Sequence, residues 1–161
     1  MNLVASAPQW LAAILFFLLL LAALEDLWRL QIENWLGGGV AVGALLAVAI
    51  EGPAADLWQN FLFFALVLGL GTLLFARGWM GGGDIKLLAA SALWFDLDPG
   101  WKMLVAVAIA GGLEAITVML LRLISWPGPW REKLAVLRRG EDMPYGVAIA
   151  AGVLFMGLAT R

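Results

Sequence analysis

The chain contains no cysteine and no histidine, only one tyrosine, and just 14% charged residues among its 161. Without thiols there is no disulfide, no cysteine nucleophile and no cysteine-bound metal. Without imidazole there is no Ser–His relay and no histidine-ligated zinc. Acid–base chemistry, if the chain performs any, must rest on Asp, Glu, Lys or Tyr. Ten Lys and Arg stand against twelve Asp and Glu, and a net charge of −2 offers nucleic acid nothing to bind. The first basic residue is Arg29. The opening apolar run therefore lacks the basic flank of a cleavable secretory signal, and none is expected. No metal, nucleotide or organic cofactor is implied.

What remains is apolar. At 63% hydrophobic residues, no soluble domain of this size has interior enough to hide them. The expectation is an all-α membrane protein, one integral membrane domain over residues 1–161, with the lipid bilayer as its solvent. Six apolar runs read as transmembrane helices, approximately 8–27, 35–50, 57–76, 84–96, 102–122 and 143–160. The fourth is the short one: its apolar part, Leu87 to Phe95, crosses only if Asp84 to Lys86 and Asp96 are included, and otherwise reads as re-entrant.

Positive charge decides between these. With six crossings and the N-terminus outside, Arg29, Arg77, Lys86, Arg122, Arg131, Lys133, Arg138 and Arg139 fall inside, and only Lys102 and Arg161 outside. A re-entrant fourth run would leave five on each side, so the positive-inside rule favours six crossings. All nine tryptophans lie at or near the ends of these runs, the aromatic-belt pattern. Between the last two runs, Trp130, Leu134 and Leu137 share a helical face ringed by Arg131, Lys133, Arg138 and Arg139. That stretch reads either as an interfacial helix or as a solvated loop.

The stretch Trp79-Met80-Gly81-Gly82-Gly83-Asp84-Ile85-Lys86 sets a carboxylate at a membrane boundary. An ionisable group there is by default a functional hypothesis, although an Asp beginning a helix also serves as a cap. The topology puts Asp26, ending the first run, on the same face as Asp84, beginning the fourth. Two such carboxylates, if their helices are neighbours, share one proton. The charged member can then take a proton from water while the neutral one polarises a carbonyl. Ser91 with Lys86 is a weaker nucleophile pair, because five residues put them on different sides of a helix. Glu114, deep in the fifth run beside Gly111 and Gly112, reads first as a polar contact between packed helices, with proton relay or substrate contact as the alternative.

At these residues the chain resembles the prepilin peptidase (type IV leader peptidase) family of G-x-G-D intramembrane aspartyl proteases. Gly81 to Leu87 is similar to that family's Gly-x-Gly-Asp-x-Lys-Leu. Asp26 with Ile32 and Asn34 is similar to its first aspartate and the Ile-Pro-Asn that follows, with Glu33 standing where proline is usual. Met143-Pro144-Tyr145-Gly146 resembles its closing Pro-Tyr-Gly segment. The resemblance implies an active site at the cytoplasmic face in which Asp26 and Asp84 share acid and base roles around a water. It also implies that Gly81 and Gly83 let the loop bend and a substrate backbone approach. Asn34, Pro144, Tyr145 and Gly146 would then shape the site, and Lys86 would orient Asp84 or face lipid phosphates. The implied substrate is a prepilin or pseudopilin with a basic leader and an apolar helix, cut just before that helix. Larger members carry a cysteine-bearing zinc region and also methylate the new N-terminus. This chain resembles the short form, associated with tight-adherence (Flp-type) pili and archaeal-type preflagellin peptidases, for which methyl transfer is not expected. The competing class is a non-enzymatic membrane subunit or small transporter using the same acids as a proton or cation site.

Overall fold

The structure, a computed structural model, describes residues 1–52, 54–124, 134–137 and 143–161. Among the described residues seven α-helices follow in order: α1 Leu3–Ser6, α2 Gln9–Arg29, α3 Asn34–Glu51, α4 Trp58–Ala76, α5 Gly82–Ala92, α6 Leu97–Leu123 and α7 Tyr145–Ala159, with a 3-10 turn at Ala135–Leu137. No strand occurs among the described residues. The chain is an all-α membrane protein, in which α2, α3, α4 and α6 are each long and apolar enough to cross a bilayer.

Glycine contacts fix the relative directions of the helices. Asp26 meets Gly146 while Phe16 meets Gly157, so α2 and α7 are antiparallel. Gly152 lies on Val107 and Gly111 on Ala148, so α6 and α7 are antiparallel too. Gly37 lies on Lys86 and Leu87 while Gly43 lies on Trp94, which makes α3 and α5 parallel. Gly71 against Ile85 and Gly82 against Phe75 make α4 and α5 antiparallel. Hence α2, α4 and α6 run one way and α3, α5 and α7 the other. The end of α2 and the starts of α5 and α7 all lie at one end of the bundle.

The short turns that produce this arrangement have local causes. Leu30 closes α2 in the left-handed conformation (φ 51, ψ 37), its N–H on the Asp26 carbonyl at 2.8 Å. Gly78, with φ 70, ends α4. Its N–H bonds the Phe75 carbonyl, and that of Trp79 reaches back to Leu74, the usual glycine solution for helix carbonyls left without partners.

Two expectations are corrected. The fourth run is not a helix over 84–96. It is the eleven-residue α5, at 1.5 Å per residue about 16 Å long against a hydrocarbon core of about 30 Å. Leu93, Trp94 and Phe95 turn inward beyond it and are buried. The space above is filled by α1, which the sequence did not suggest: the Leu3 N–H donates to the Trp94 carbonyl at 2.9 Å, and Leu3 and Val4 are buried. Trp94 therefore departs from the aromatic belt. It is wholly buried, and its indole N–H donates to the Val40 carbonyl at 3.0 Å. Trp10, Trp28, Trp35, Trp58, Trp79 and Trp101 are exposed, while Trp126 and Trp130 lie outside the described residues.

The interfacial stretch around Trp130 also falls mostly outside them. Of its described part, Val136 and Leu137 are buried against Val118 of α6. Near the other end, Asn60 is buried in α4, its amide donating to the Met1 and Leu93 carbonyls, both at 2.9 Å.

Candidate active site

Asp26 stands in the last turn of α2 and is buried, 3% exposed. Its Oδ2 accepts the backbone N–H of Gly146 at 2.6 Å. Gly146 is the second residue of α7, whose N-cap is Pro144, so the carboxylate lies at the positive end of a helix whose first N–H groups have no partner within it. Glycine is required by the approach: a Cβ at 146 would lie 2.9 Å from Asp26 Oδ2 and 2.8 Å from Ile32 Cδ1.

Asp84 lies in the first turn of α5, where Gly81, not Asp84, occupies the N-cap. It too is buried, at 8%. It lines a cavity of about 460 Å³ with Leu30, Trp79, Met80, Gly81, Met143 and Tyr145. Gly81 leaves room for this carboxylate, since a Cβ there would fall 2.7 Å from Asp84 Oδ2. At Gly83 a Cβ would fall 2.8 Å from the Ile32 carbonyl oxygen. The space that Gly83 leaves is thus occupied by the chain's own backbone rather than open to a substrate's.

Ile32 links the two acids. Its backbone lies on Gly83, next to Asp84, and its side chain on Gly146, which holds Asp26. The Ile32 segment is set in turn by the α2–α3 connection. Arg29 bridges Glu25 at 3.4 Å and Glu33 at 3.1 Å, while the Glu33 N–H donates to Glu25 at 3.2 Å. Glu33 has φ −69 and ψ 143, a conformation proline also adopts. The turn is thereby held by a polar clasp in the shape a proline would impose.

Lys86 is exposed, and its ammonium donates to Asn34 Oδ1 at 2.7 Å. It ties the start of α5 to the start of α3. Ser91 is spent on the Leu87 carbonyl within its own helix, so it forms no pair with Lys86. Pro144 is buried and Tyr145 lines the cavity beside Asp84.

Glu114, which reads from the sequence first as a polar contact between packed helices, stands on α6 near the start of α7. It lies near Asp26, Asp84 and the Ala148 backbone of α7. Gly111, three residues before it, lies on Ala148 of α7, whereas at Gly112 a Cβ would meet nothing within 4 Å. Leu30 and Met143, apolar walls of the Asp84 cavity, carried no signal at all. Among the described residues, no group of three or more acids, histidines or cysteines is arranged to hold a metal.

An all-helical membrane protein with two buried carboxylates at one end of its bundle defines the class. The particular family follows from comparison. Residues 13–121 match the type IV leader peptidase family, and the chain belongs to that family. The matched region contains Asp26 and Asp84 and stops before Pro144.

The chain is 32% identical over 117 residues to a prepilin leader peptidase/N-methyltransferase of Burkholderia pseudomallei strain K96243, covering 71% of this chain and 32% of that protein. It is 34% identical over 100 residues to the protein of that name from Aeromonas hydrophila, covering 60% and 30%. The chain thus spans about a third of the length of the curated relatives it matches. No solved structure matches it.

Proposed function

We propose that the protein is an intramembrane aspartic endopeptidase that removes the leader of a type IV prepilin or pseudopilin, of the tight-adherence type, at the cytoplasmic face of the bacterial inner membrane. Membership of the leader peptidase family supports the substrate class. The observation that carries the chemistry is the pair Asp26 and Asp84: both are buried, both lie at one end of the bundle, and the glycines beside them, Gly146 against Asp26 and Gly83 before Asp84, both pack on Ile32. Among the described residues Arg29, Arg77, Lys86 and Arg122 lie toward that end and Lys102 and Arg161 toward the other, which supports its being the cytoplasmic one, with the N-terminus outside and six crossings in one domain.

In this reading the two carboxyl groups hold one proton between them and a water beside them. The charged one takes a proton from the water as its oxygen attacks the scissile carbonyl carbon. The neutral one gives its proton to the carbonyl oxygen. Collapse of the tetrahedral intermediate breaks the C–N bond, and the leaving nitrogen takes a proton from a carboxyl. Proteolysis needs no further group. The N-methyl transfer in the relatives' names is not part of the proposal.

The test is processing of a co-expressed prepilin by Asp26→Asn and Asp84→Asn variants shown to reach the membrane. Each should abolish cleavage. Cleavage at an undiminished rate by both would remove the two acids from the mechanism.

A further inference from the structure

Beyond the cavity that Asp84 faces lies a second, of about 480 Å³, and Met80, Met143 and Tyr145 stand in the walls of both. It is a wedge between α4 and α6. Those helices meet near their starts, where a Cβ on Gly100 would lie 2.6 Å from the ring of Phe63. Toward the acid end they part. Leu74 of α4 and Leu104 and Ala108 of α6 line the gap, with Leu88 of α5 and Ile149 of α7 as its floor.

One carboxylate enters this apolar space, that of Glu114. Its Oε1 is buried and has no hydrogen-bond partner among the described residues. An acceptor left so in an apolar wedge is matched by a particular donor. The first turn of any helix carries N–H groups without internal partners and the positive end of its dipole, and within a bilayer those groups must be satisfied by protein.

Resting on the proteolytic reading above, we propose that the wedge between α4 and α6 seats the apolar helix of the substrate and that Glu114 caps its first turn. The wedge opens into the cavity of Asp84, so a helix seated there begins just past the cleaved bond. Its free N–H groups then face the unpartnered oxygen. Glu114 is thereby a specificity-determining residue, outside the acid pair. It selects a segment whose apolar helix starts at a fixed distance from the cut.

The test uses the full chain in proteoliposomes and a labelled peptide with a basic leader and an apolar segment of about 20 residues. Glu114→Leu should raise KM about tenfold with kcat little changed, the signature of lost uniform binding, and Glu114→Gln, which keeps an acceptor oxygen, should restore much of it. A purely structural Glu114 would lower kcat and the unfolding temperature together, and that result overturns the proposal.

Since the chain has no cysteine, single cysteines report position cleanly. In the Asp84→Asn background, Leu104→Cys should cross-link to a cysteine in the peptide's apolar segment. Ile109→Cys, whose side chain is exposed on α6 and lines the groove toward Trp101, should not. If the unsubstituted chain cuts the peptide but Leu104→Cys fails to cross-link, the wedge assignment alone falls. If it does not cut but Leu104→Cys cross-links, the wedge assignment stands and proteolysis falls.

Discussion

Replacing Gly146 with alanine tests the contact on which the position of Asp26 depends. The new methyl would sit 2.8 Å from Ile32 Cδ1, 2.9 Å from Asp26 Oδ2 and 3.0 Å from Asp26 Cβ. Ile32 Cδ1 is the end of a flexible chain and can swing aside. The Asp26 Cβ cannot, because it is fixed to the buried last turn of α2. The start of α7 must therefore back away, stretching a bond that now measures 2.6 Å. Overpacking of this kind costs about 1–3 kcal/mol. A displacement approaching 1 Å at a reacting group costs about 10²-fold in rate.

The control is Gly69→Ala in α4, where a Cβ meets nothing within 4 Å and the helix gains about 0.5–1 kcal/mol. Prepilin processing in proteoliposomes and thermal unfolding in detergent are read side by side. Gly146→Ala should lose about two orders of magnitude in cleavage and several degrees in midpoint, with Gly69→Ala losing neither. Unchanged cleavage and midpoint in Gly146→Ala would refute the reasoning, because Asp26 would then not depend on its seat against α7.

Two further substitutions probe the scaffold. Asn60→Leu strips the Leu93 carbonyl of its 2.9 Å donor, at a cost of about 1–3 kcal/mol or roughly 2–12 °C in midpoint; an unmoved midpoint would show that the amide does not hold α4 to the end of α5. Glu33→Pro should leave stability within about 1 kcal/mol, since a rigid φ near −65° gains about 0.4–1 kcal/mol and the lost N–H bond to Glu25 costs about 0.5–1.5. A drop in unfolding midpoint equivalent to more than about 2 kcal/mol would contradict the idea that the clasp does a proline's work.

The long helices were legible because an uncharged run of bilayer length has few other fates. Asp26 and Asp84 were legible as residues of one depth, because the charge balance of the loops orders the crossings. The length of α5 was not. Composition counts apolar residues through Phe95 but does not say that Leu93 to Phe95 turn inward, nor that Trp94 would find the Val40 carbonyl rather than a headgroup. Likewise α1 merges with the run that follows it, and the extended backbone of Ala7 (φ −60, ψ 150) and Pro8 (φ −52, ψ 143) parts them. The bond from Gly146 to Asp26 joins residues 120 apart, and Glu114 comes near the two acids only once α6 packs on α7. No local pattern encodes either.

The brevity of α5 has a further consequence. Every residue in it except Lys86 is buried or half-buried, so its neighbours are other helices rather than acyl chains. A thicker or thinner bilayer is accommodated by the tilt of long segments that touch lipid. A short helix enclosed by protein has no such handle. The depth of Asp84 is therefore set by its protein neighbours, independent of membrane thickness.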